Sequence, residues 1–559
     1  MLLDDLEILL LALCIVLVYF LVIRHLHGGS LACIPGPPSP SGIFGHTVDL
    51  QHQHVAGELE QGWLQTYGNA CKISGPFSQE LLLLADPKAL HYVVQASGYR
   101  YPKPHDTNQA IRLMMGRGIF WAVGDDHKRH KKVMSPAFDI ARLRSFLPLF
   151  QRSATMLAER WKSEIRRAGP TLEITAWIQR LMLDNIGEAA FDHRFNALDH
   201  GEAGAGELSD AFNNLFADSL MFPDRPTILF TALWRFIPPR ILRFVEYLPA
   251  RQVQRFHRFL TVSKTAAKRL LDNRSREDKA IQCEEGGVDG ERAKRKDILN
   301  ILVQSNSHEA DEKRKLDEDE LLSQMATIML AGHDSTSVSL SWLLHDLAHH
   351  PEDQERVRQE VCAVRSRAAD PDCLGVVDLE AMTYTNAVIR ETLRLHPIAF
   401  MLPRMAREDD VIPLATPITT TKGDLITEIP IKKGQHLYLA IYTYNRLKSV
   451  WGEDADQWNP GRFLGNGTRD KEYTMGMFAN LLTFSGGVRG CLGWRFAILE
   501  LQATLVGLIE HFQFAPVQGI EIQGAPAGSM IPVIKGRETE GTQLPLCVTV
   551  IEDEAEQDM

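Results

Sequence analysis

The chain opens with a hydrophobic run flanked by charges of opposite sign. Ile8 to Ile23 is apolar without interruption, preceded by Asp4, Asp5 and Glu7 and followed by Arg24, His25 and His27. That length is close to what a bilayer span needs, and the basic flank predicts that the remainder stays on the cytoplasmic side. A secretory leader would start basic and end in a small-residue cleavage site, and this leader is acidic. We therefore expect an anchor over 6–26, a stiff proline-rich hinge over 34–40 (Ile34-Pro-Gly-Pro-Pro38), one domain over 41–551 and an acidic tail over 552–559. Further on the pattern turns helical. Leu316 to about His350 is apolar-rich and lacks proline, predicting one long helix. Its centre, Ala331-Gly-His-Asp-Ser-Thr-Ser337, should bend, because a glycine among hydroxyl residues loosens the backbone. Leu379 to Leu395 reads as one amphipathic helix, capped by Asp378 and stopped by Pro397. Another helix starts at Trp494, and the polar stretch 273–296 reads as a surface loop.

The chemistry concentrates in Phe484-Ser-Gly-Gly-Val-Arg-Gly-Cys-Leu-Gly493. Glycines let this loop close round one sulfur, and amide N–H groups with the positive end of the next helix should lower the pKa of Cys491. A single stabilised thiolate suits an axial haem ligand. Taken alone, a free cysteine is more often a small buried hydrophobe. Phe484, Gly487, Arg489, Cys491 and Gly493 together favour the ligand.

At these residues the chain resembles the cytochrome P-450 haem-thiolate monooxygenases of the microsomal eukaryotic type, whose signature is Phe-x-x-Gly-x-Arg-x-Cys-x-Gly. The resemblance implies a mainly α fold with small β-sheets, preceded here by a transmembrane helix. It implies haem b, with Cys491 as the iron ligand and Arg489 on a propionate, Phe484 opening the loop. Glu391 and Arg394 share a helix face, and with Arg462 in Trp458-Asn-Pro-Gly-Arg-Phe463 they match the family's Glu-x-x-Arg pair locked to a meander arginine. Gly461 stands where many members carry glutamate. Ala331-Gly-His-Asp-Ser335 matches the oxygen-binding groove, which assigns proton relay to Asp334 and the alcohols Ser335 and Thr336, with serine where threonine is usual. The register puts Ser335 on the face of Ala331 and leaves Thr336 to bond back into its own helix. His127 and Lys131 match a propionate-facing pair, and Arg404 in Pro403-Arg-Met-Ala406 matches the residue on the other propionate. The basic block His127 to Lys132 also reads as a solvated face that would suit an acidic redox partner.

Composition narrows the rest. A net charge of −11 over 559 residues argues against nucleic acid, and 45% hydrophobic content permits a large core. Eight cysteines without metal spacing imply a reducing compartment. Asn273-Arg-Ser and Asn466-Gly-Thr are formal sequons that a cytosolic face would leave unmodified. No flavin or nicotinamide motif is present, so NADPH acts only indirectly through a reductase, with cytochrome b5 as a further candidate donor. The expected site is the endoplasmic reticulum membrane, single-pass, with the catalytic domain facing the cytosol. Met114, Met115, Ile119, Phe120, Phe212, Phe216, Phe222, Ala331, Ile398, Phe400 and Met401 promise a roomy apolar pocket. It fits a terpenoid, a sterol or a long-chain lipid, with secondary metabolism favoured. The alternative is an isomerase or dehydratase that rearranges an oxygenated lipid without O2, and a third reading is a non-catalytic haem sensor. An intact acid–alcohol pair argues against both.

Overall fold

The computed structural model describes residues 30–199, 206–212, 214–248, 250–285, 297–309, 311–465 and 473–551. The expected anchor over 6–26, Asn466 and the acidic tail lie outside these residues. Among the described residues no helix is long and apolar enough to cross a membrane.

The architecture is mainly helical with small sheets. Helices α1 (Gly124–Met134), α2 (Leu147–Ala168), α3 (Ile174–Phe191), α4 (Arg251–Glu285), α5 (Glu318–His349), α6 (Thr383–Leu395) and α7 (Trp494–Ile509) frame the site. The strands are β1 (Ala70–Gly75), β2 (Gln79–Leu84), β3 (Thr171–Glu173), β4 (Met401–Met405), β5 (Asp410–Thr419), β6 (Leu425–Ile431), β7 (His436–Ala440), β8 (Phe512–Pro516), β9 (Ile522–Pro526), β10 (Met530–Ile534) and β11 (Pro545–Val550). One sheet runs β1-β2-β7-β4, a second β3-β11-β8, and β5-β6 and β9-β10 are hairpins. In the larger sheet β2 and β7 are parallel, with Leu82 opposite Leu437.

The long helix α5 passes through the core and packs on α3, α4, α6, α7 and β8. Its start is fixed by a reciprocal cap. Asp317 accepts the Glu320 N–H at 2.8 Å, and Glu320 accepts the Asp317 N–H at 3.0 Å. Gly332 holds the close approach to α3, where a Cβ would lie 2.6 Å from Ile186 Cδ1.

Several expectations need correction. No break interrupts α5 at Ala331–Ser337, where a bend is expected. The single helix expected from Leu379 divides at Met382, whose ψ of 78° is not helical. Asp378 caps the first piece, Val376–Ala381, by accepting the Gly375 N–H at 2.8 Å. The N-terminus of α6 is capped instead by Glu360 from another helix, which accepts the Tyr384 and Thr385 N–H groups at 2.9 and 2.7 Å. Part of the polar stretch 273–296 is helix, since α4 continues to Glu285. The proline-rich segment is docked rather than free: Lys72 N–H donates to the Pro35 carbonyl at 2.8 Å, and Leu31 and Ile34 are fully buried.

Candidate active site

Cys491 sits between a loop that folds back on itself and the first turn of α7. Its N–H donates to the Phe484 carbonyl at 2.9 Å, closing the loop. Of the loop glycines, Gly487 is the one the backbone demands. Its φ is +59°, and a Cβ there would meet the Val94 carbonyl oxygen at 2.1 Å. Gly493 is not under such demand, its nearest foreign atom being Phe138 Cε1 at 3.8 Å. The amides act on the thiol in the expected direction but are outweighed. Burial raises the Cys491 thiol above its ordinary value, and the Gly493 and Trp494 N–H groups offset this only in part. Yet the residue keeps a large share of accessible surface. The sulfur stays reachable although its neighbours desolvate it.

Cations gather beside this loop. Arg489 donates through Nη1 to the Ala122 carbonyl at 3.1 Å, and its Nη2 is buried with no partner among the described residues. Arg404, on β4, is buried and donates to the Pro403 carbonyl at 2.9 Å. Burial, then the Arg489 charge, pulls its pKa down to about 10. His127 is buried, with Nδ1 at 2.8 Å from the Tyr99 hydroxyl. Burial first, then Arg489, Lys103 and Lys131, push its pKa down to about 3, so this imidazole stays neutral and contributes a ring N–H rather than a charge. Lys131 donates to the Val488 carbonyl at 3.0 Å, so it braces the cysteine loop. The rest of the basic block is likewise engaged within the chain. Arg129 grips Glu320 of α5 at 2.6 Å, Lys128 pairs with Asp125 at 2.8 Å and Lys132 with Glu309 at 2.5 Å. The solvated face expected for a redox partner is therefore largely self-paired.

On α5, Ala331 is exposed in mid-helix, and Gly332, Asp334 and Ser335 are half-buried among otherwise covered neighbours. This accessible stripe lies where the resemblance expects the groove face. Burial alone raises the Asp334 carboxyl to about 7. The back-bond expected of Thr336 is made by Ser335 instead. Ser335 Oγ donates back to the Ala331 carbonyl at 2.6 Å. Thr336 is buried and bonds the Glu500 carboxyl of α7. Glu500 also accepts from Asn185 Nδ2 at 3.0 Å, and burial lifts its pKa to about 8 despite both partners. Sequence reading missed Glu500, although a lone acid in the apolar run of α7 was a readable signal. It also missed Lys103, whose pKa is lowered by burial and then by Arg489 and Arg404, and which no sequence pattern marks.

The carboxylate–guanidinium trio forms as expected. Glu391 and Arg394 are fully buried and bonded twice, at 2.7 and 2.8 Å. Arg462 Nε reaches both Glu391 oxygens at 3.0 and 3.1 Å, and the Asn459 N–H adds a bond at 2.8 Å. The trio is wired to the cysteine loop. Asn445 Nδ2 donates to the Arg394 carbonyl and to Thr483 Oγ1, each at 3.1 Å, one residue before Phe484.

The apolar candidates separate. Phe216, Phe222 and Ile398 pack with Val338 and Trp342 of α5 and with the β9–β10 hairpin, which sequence reading had not included. Phe400 and Met401 pack with Tyr442 and Met530. Met114 and Met115 are buried in the main core, Ile119 is packed against it, and Phe120 is 47% exposed. Phe212 is a core residue, 5.0 Å from the Phe259 ring and 4.7 Å from that of His333.

A desolvated cysteine beside a cluster of unneutralised cations fits a haem. The sulfur would hold the iron, and Arg489, Arg404 and the His127 ring N–H would hold the propionates; the orphaned Arg489 Nη2 is the observation that the fit explains. Comparison with known proteins agrees. The family model described as Cytochrome P450 matches residues 35–535. The chain is 32% identical to cytochrome P450 monooxygenase 91 of Postia placenta, over 90% of this chain and 91% of that protein. It is 31% identical to cytochrome P450 monooxygenase claU of Ampulloclitocybe clavipes, over 93% of each. Against a ganoderic acid synthetase of Ganoderma lucidum the identity is 32%, over 88% and 89%.

Proposed function

The chain belongs to the cytochrome P450 family of monooxygenases, and from that premise we propose that it is a membrane-anchored enzyme oxidising an apolar small molecule. The observation that carries this is the accessible stripe Ala331–Asp334–Ser335 in the otherwise mostly buried middle of α5. When bound, the haem supplies the activation of O2 that places one oxygen atom in a C–H bond and releases the other as water, using two electrons and two protons.

The chain's own residues seat the group and move those protons. Cys491 holds the iron, and Arg489 and Arg404 meet the propionates. Asp334, with a pKa near 7, can take and give a proton close to neutral pH, which is where a relay works best. Ser335 Oγ, anchored on the Ala331 carbonyl, passes the proton on. Thr336 is not part of this relay, because it is buried off the accessible face with its hydroxyl on Glu500. Electrons come from NADPH through a reductase, with cytochrome b5 as a further donor.

The substrate reading is a terpenoid or other secondary metabolite. Phe216, Phe222 and Ile398 beside Trp342 support an apolar wall. That a relative is named as a ganoderic acid synthetase supports a small-molecule product. We place the anchor at 6–26, the catalytic domain facing the cytosol, and the protein in the endoplasmic reticulum. The test is turnover with candidate scaffolds under ¹⁸O2 in cells co-expressing a reductase. A product carrying one labelled oxygen is expected. Product that forms without O2 would instead establish the isomerase class.

A further inference from the structure

Gln324 of α5 is fully buried, and the two ends of its amide serve different elements. Its Oε1 accepts the Ile119 N–H at 2.9 Å, and its Nε2 bonds Nδ1 of His130 on α1, also fully buried. The Ile119 N–H can only donate, so it sets the direction of every bond in the row. It claims the Gln324 oxygen, which leaves the amide NH2 for His130. His130 must then accept at Nδ1 and carry its proton on Nε2, 3.5 Å from Glu320 Oε1. Arg129 Nη2, 3.5 Å from the same nitrogen, is spent on that carboxylate at 2.6 Å. The loop held in this way lies flush on α5. A Cβ on Gly118 would stand 2.4 Å from Thr327 Oγ1, and Arg117 bonds Asp317 and Asp319 at 2.7 and 2.8 Å. Gln324 and Thr327 share the helix face of Ala331, at i−7 and i−4, so the loop borders the accessible stripe.

A charged imidazole has no acceptor. With both nitrogens protonated, His130 would draw the Gln324 oxygen to itself and turn the amide NH2 against the Ile119 N–H. Burial lowers the His130 pKa, opposed by Glu320 and Asp126 and reinforced by Arg129. His127, on the same helix, is itself held neutral. Arg117 of the loop reaches Glu320 at 4.0 Å, and the helix Ile298–Ser307 packed on α1 brings no charge. The closed loop thus needs a neutral ring, and acid works against it from the ordinary histidine value of 6.5 downward.

We propose that Gln324 and His130 are positioning residues for the substrate pocket: they fasten the 116–123 loop to α5, so that Ile119 and Phe120 stand as a fixed wall beside the stripe, and the wall loosens when His130 takes a proton. This rests on the reading of Ile119 and Phe120 as pocket residues.

The experiment uses the haem-loaded, full-length protein with the variants Gln324→Met and His130→Asn. Hydrogen exchange at Ile119, corrected for its intrinsic rate, is followed by mass spectrometry at pH 8 and pH 5.5. Affinities for imidazole and 4-phenylimidazole are taken from the Soret shift at pH 8, since both ligate iron and only the second carries a ring into the pocket. Methionine keeps the length of Gln324 and makes neither bond. Its Ile119 amide should exchange about tenfold faster or more at pH 8. Its preference for the phenyl ligand should fall about threefold or more, as apolar contact is lost. In the parent, acidification to pH 5.5 should speed the corrected exchange about tenfold, one unit below the histidine value. Asparagine keeps an acceptor where Nδ1 stood and cannot be protonated. His130→Asn should match the parent at pH 8 and lose the acid response. Parent-like exchange in Gln324→Met, or an acid response that survives in His130→Asn, overturns the proposal. Should Gln324→Met not accumulate, the acid response of the parent against His130→Asn decides. A loop that loosens without changing the phenyl preference refutes the wall, and with it the pocket reading of Ile119 and Phe120. A parent that shows no Soret shift with either imidazole would sink the haem reading itself, not the row of bonds.

Discussion

Two alcohols stand side by side on α5 and do different work. Ser335 faces the groove, while Thr336 is the donor to a buried acid. Ser335→Ala should therefore cut product per NADPH by roughly tenfold or more and raise peroxide, as loss of a proton-transfer group does. Thr336→Ala should leave that ratio near the parent's and lower stability by about 1–3 kcal/mol, because a buried carboxyl loses a donor. A peroxide assay beside a melting curve separates the two, and an uncoupled Thr336→Ala would exchange the roles. Glu500 adds a pH signature. Its folded pKa of about 8 lies above the ordinary 4.5, so between these values the folded chain holds a proton that the unfolded chain has lost. Stability must then fall as pH rises through that window. Glu500→Gln should flatten the fall, as read from melting midpoints between pH 5 and 8.5. The loop glycines make another paired test. Gly487→Ala should lower the melting midpoint sharply, since φ is +59° and a backbone oxygen blocks the Cβ. Gly493→Ala should shift it little. Equal effects would mean that the loop's shape is not set by Gly487.

At the scale of elements, the trio that joins α6 to Arg462 links the core to the cysteine loop. Glu391→Gln leaves two guanidiniums in the interior facing a neutral amide, a loss of about 3–5 kcal/mol. Arg462→Lys keeps the charge but loses the fork that also reaches the Trp451 carbonyl and Asp454. Melting midpoints should rank parent above Arg462→Lys above Glu391→Gln, with haem-loaded yield following the same order. This trio, the long helix and the cysteine loop were legible in the sequence because each is local: a fixed spacing, a period or a signature. What escaped reading depends on contacts from elsewhere in the fold. Glu360 caps α6 from a separate helix, so nothing in Leu379–Leu395 marks the break at Met382. The net rise in the Cys491 pKa comes from the packing around the loop, whereas the loop itself shows only the amides that lower it. Lys103 reaches the cation cluster through a carbonyl seventeen residues away, and no spacing rule encodes that.

At the scale of the molecule, one apolar face has a physical use. Leu233, Phe236, Ile241, Phe244, Tyr247 and Leu248 are each at least 39% exposed, and Ile43 is 54% exposed. Within the same stretch Trp234 is buried, and Phe230 and Ile237 are partly covered. The Phe236 ring lies 5.6 Å from Phe77, whose N–H bonds the Ile43 carbonyl. The patch therefore borders the segment by which the chain arrives from its N-terminal apolar run. Pro35 is tied to Lys72, so that arrival point is fixed on the domain. An anchor and an exposed apolar face on one side would hold the domain against a bilayer at two points. Deleting residues 1–33 should leave the protein bound to phospholipid vesicles, with weaker affinity. In the truncated chain, Leu233→Glu or Phe236→Glu should each lower vesicle affinity roughly tenfold, the value of one large apolar side chain leaving the interface. Val377→Glu, which replaces a still more exposed apolar residue on another helix, should change it little. Flotation of vesicles on a density gradient reads all four proteins. A truncated chain that stays wholly at the bottom, or substitutions at 233 and 236 no more harmful than that at 377, would confine membrane attachment to the N-terminal run.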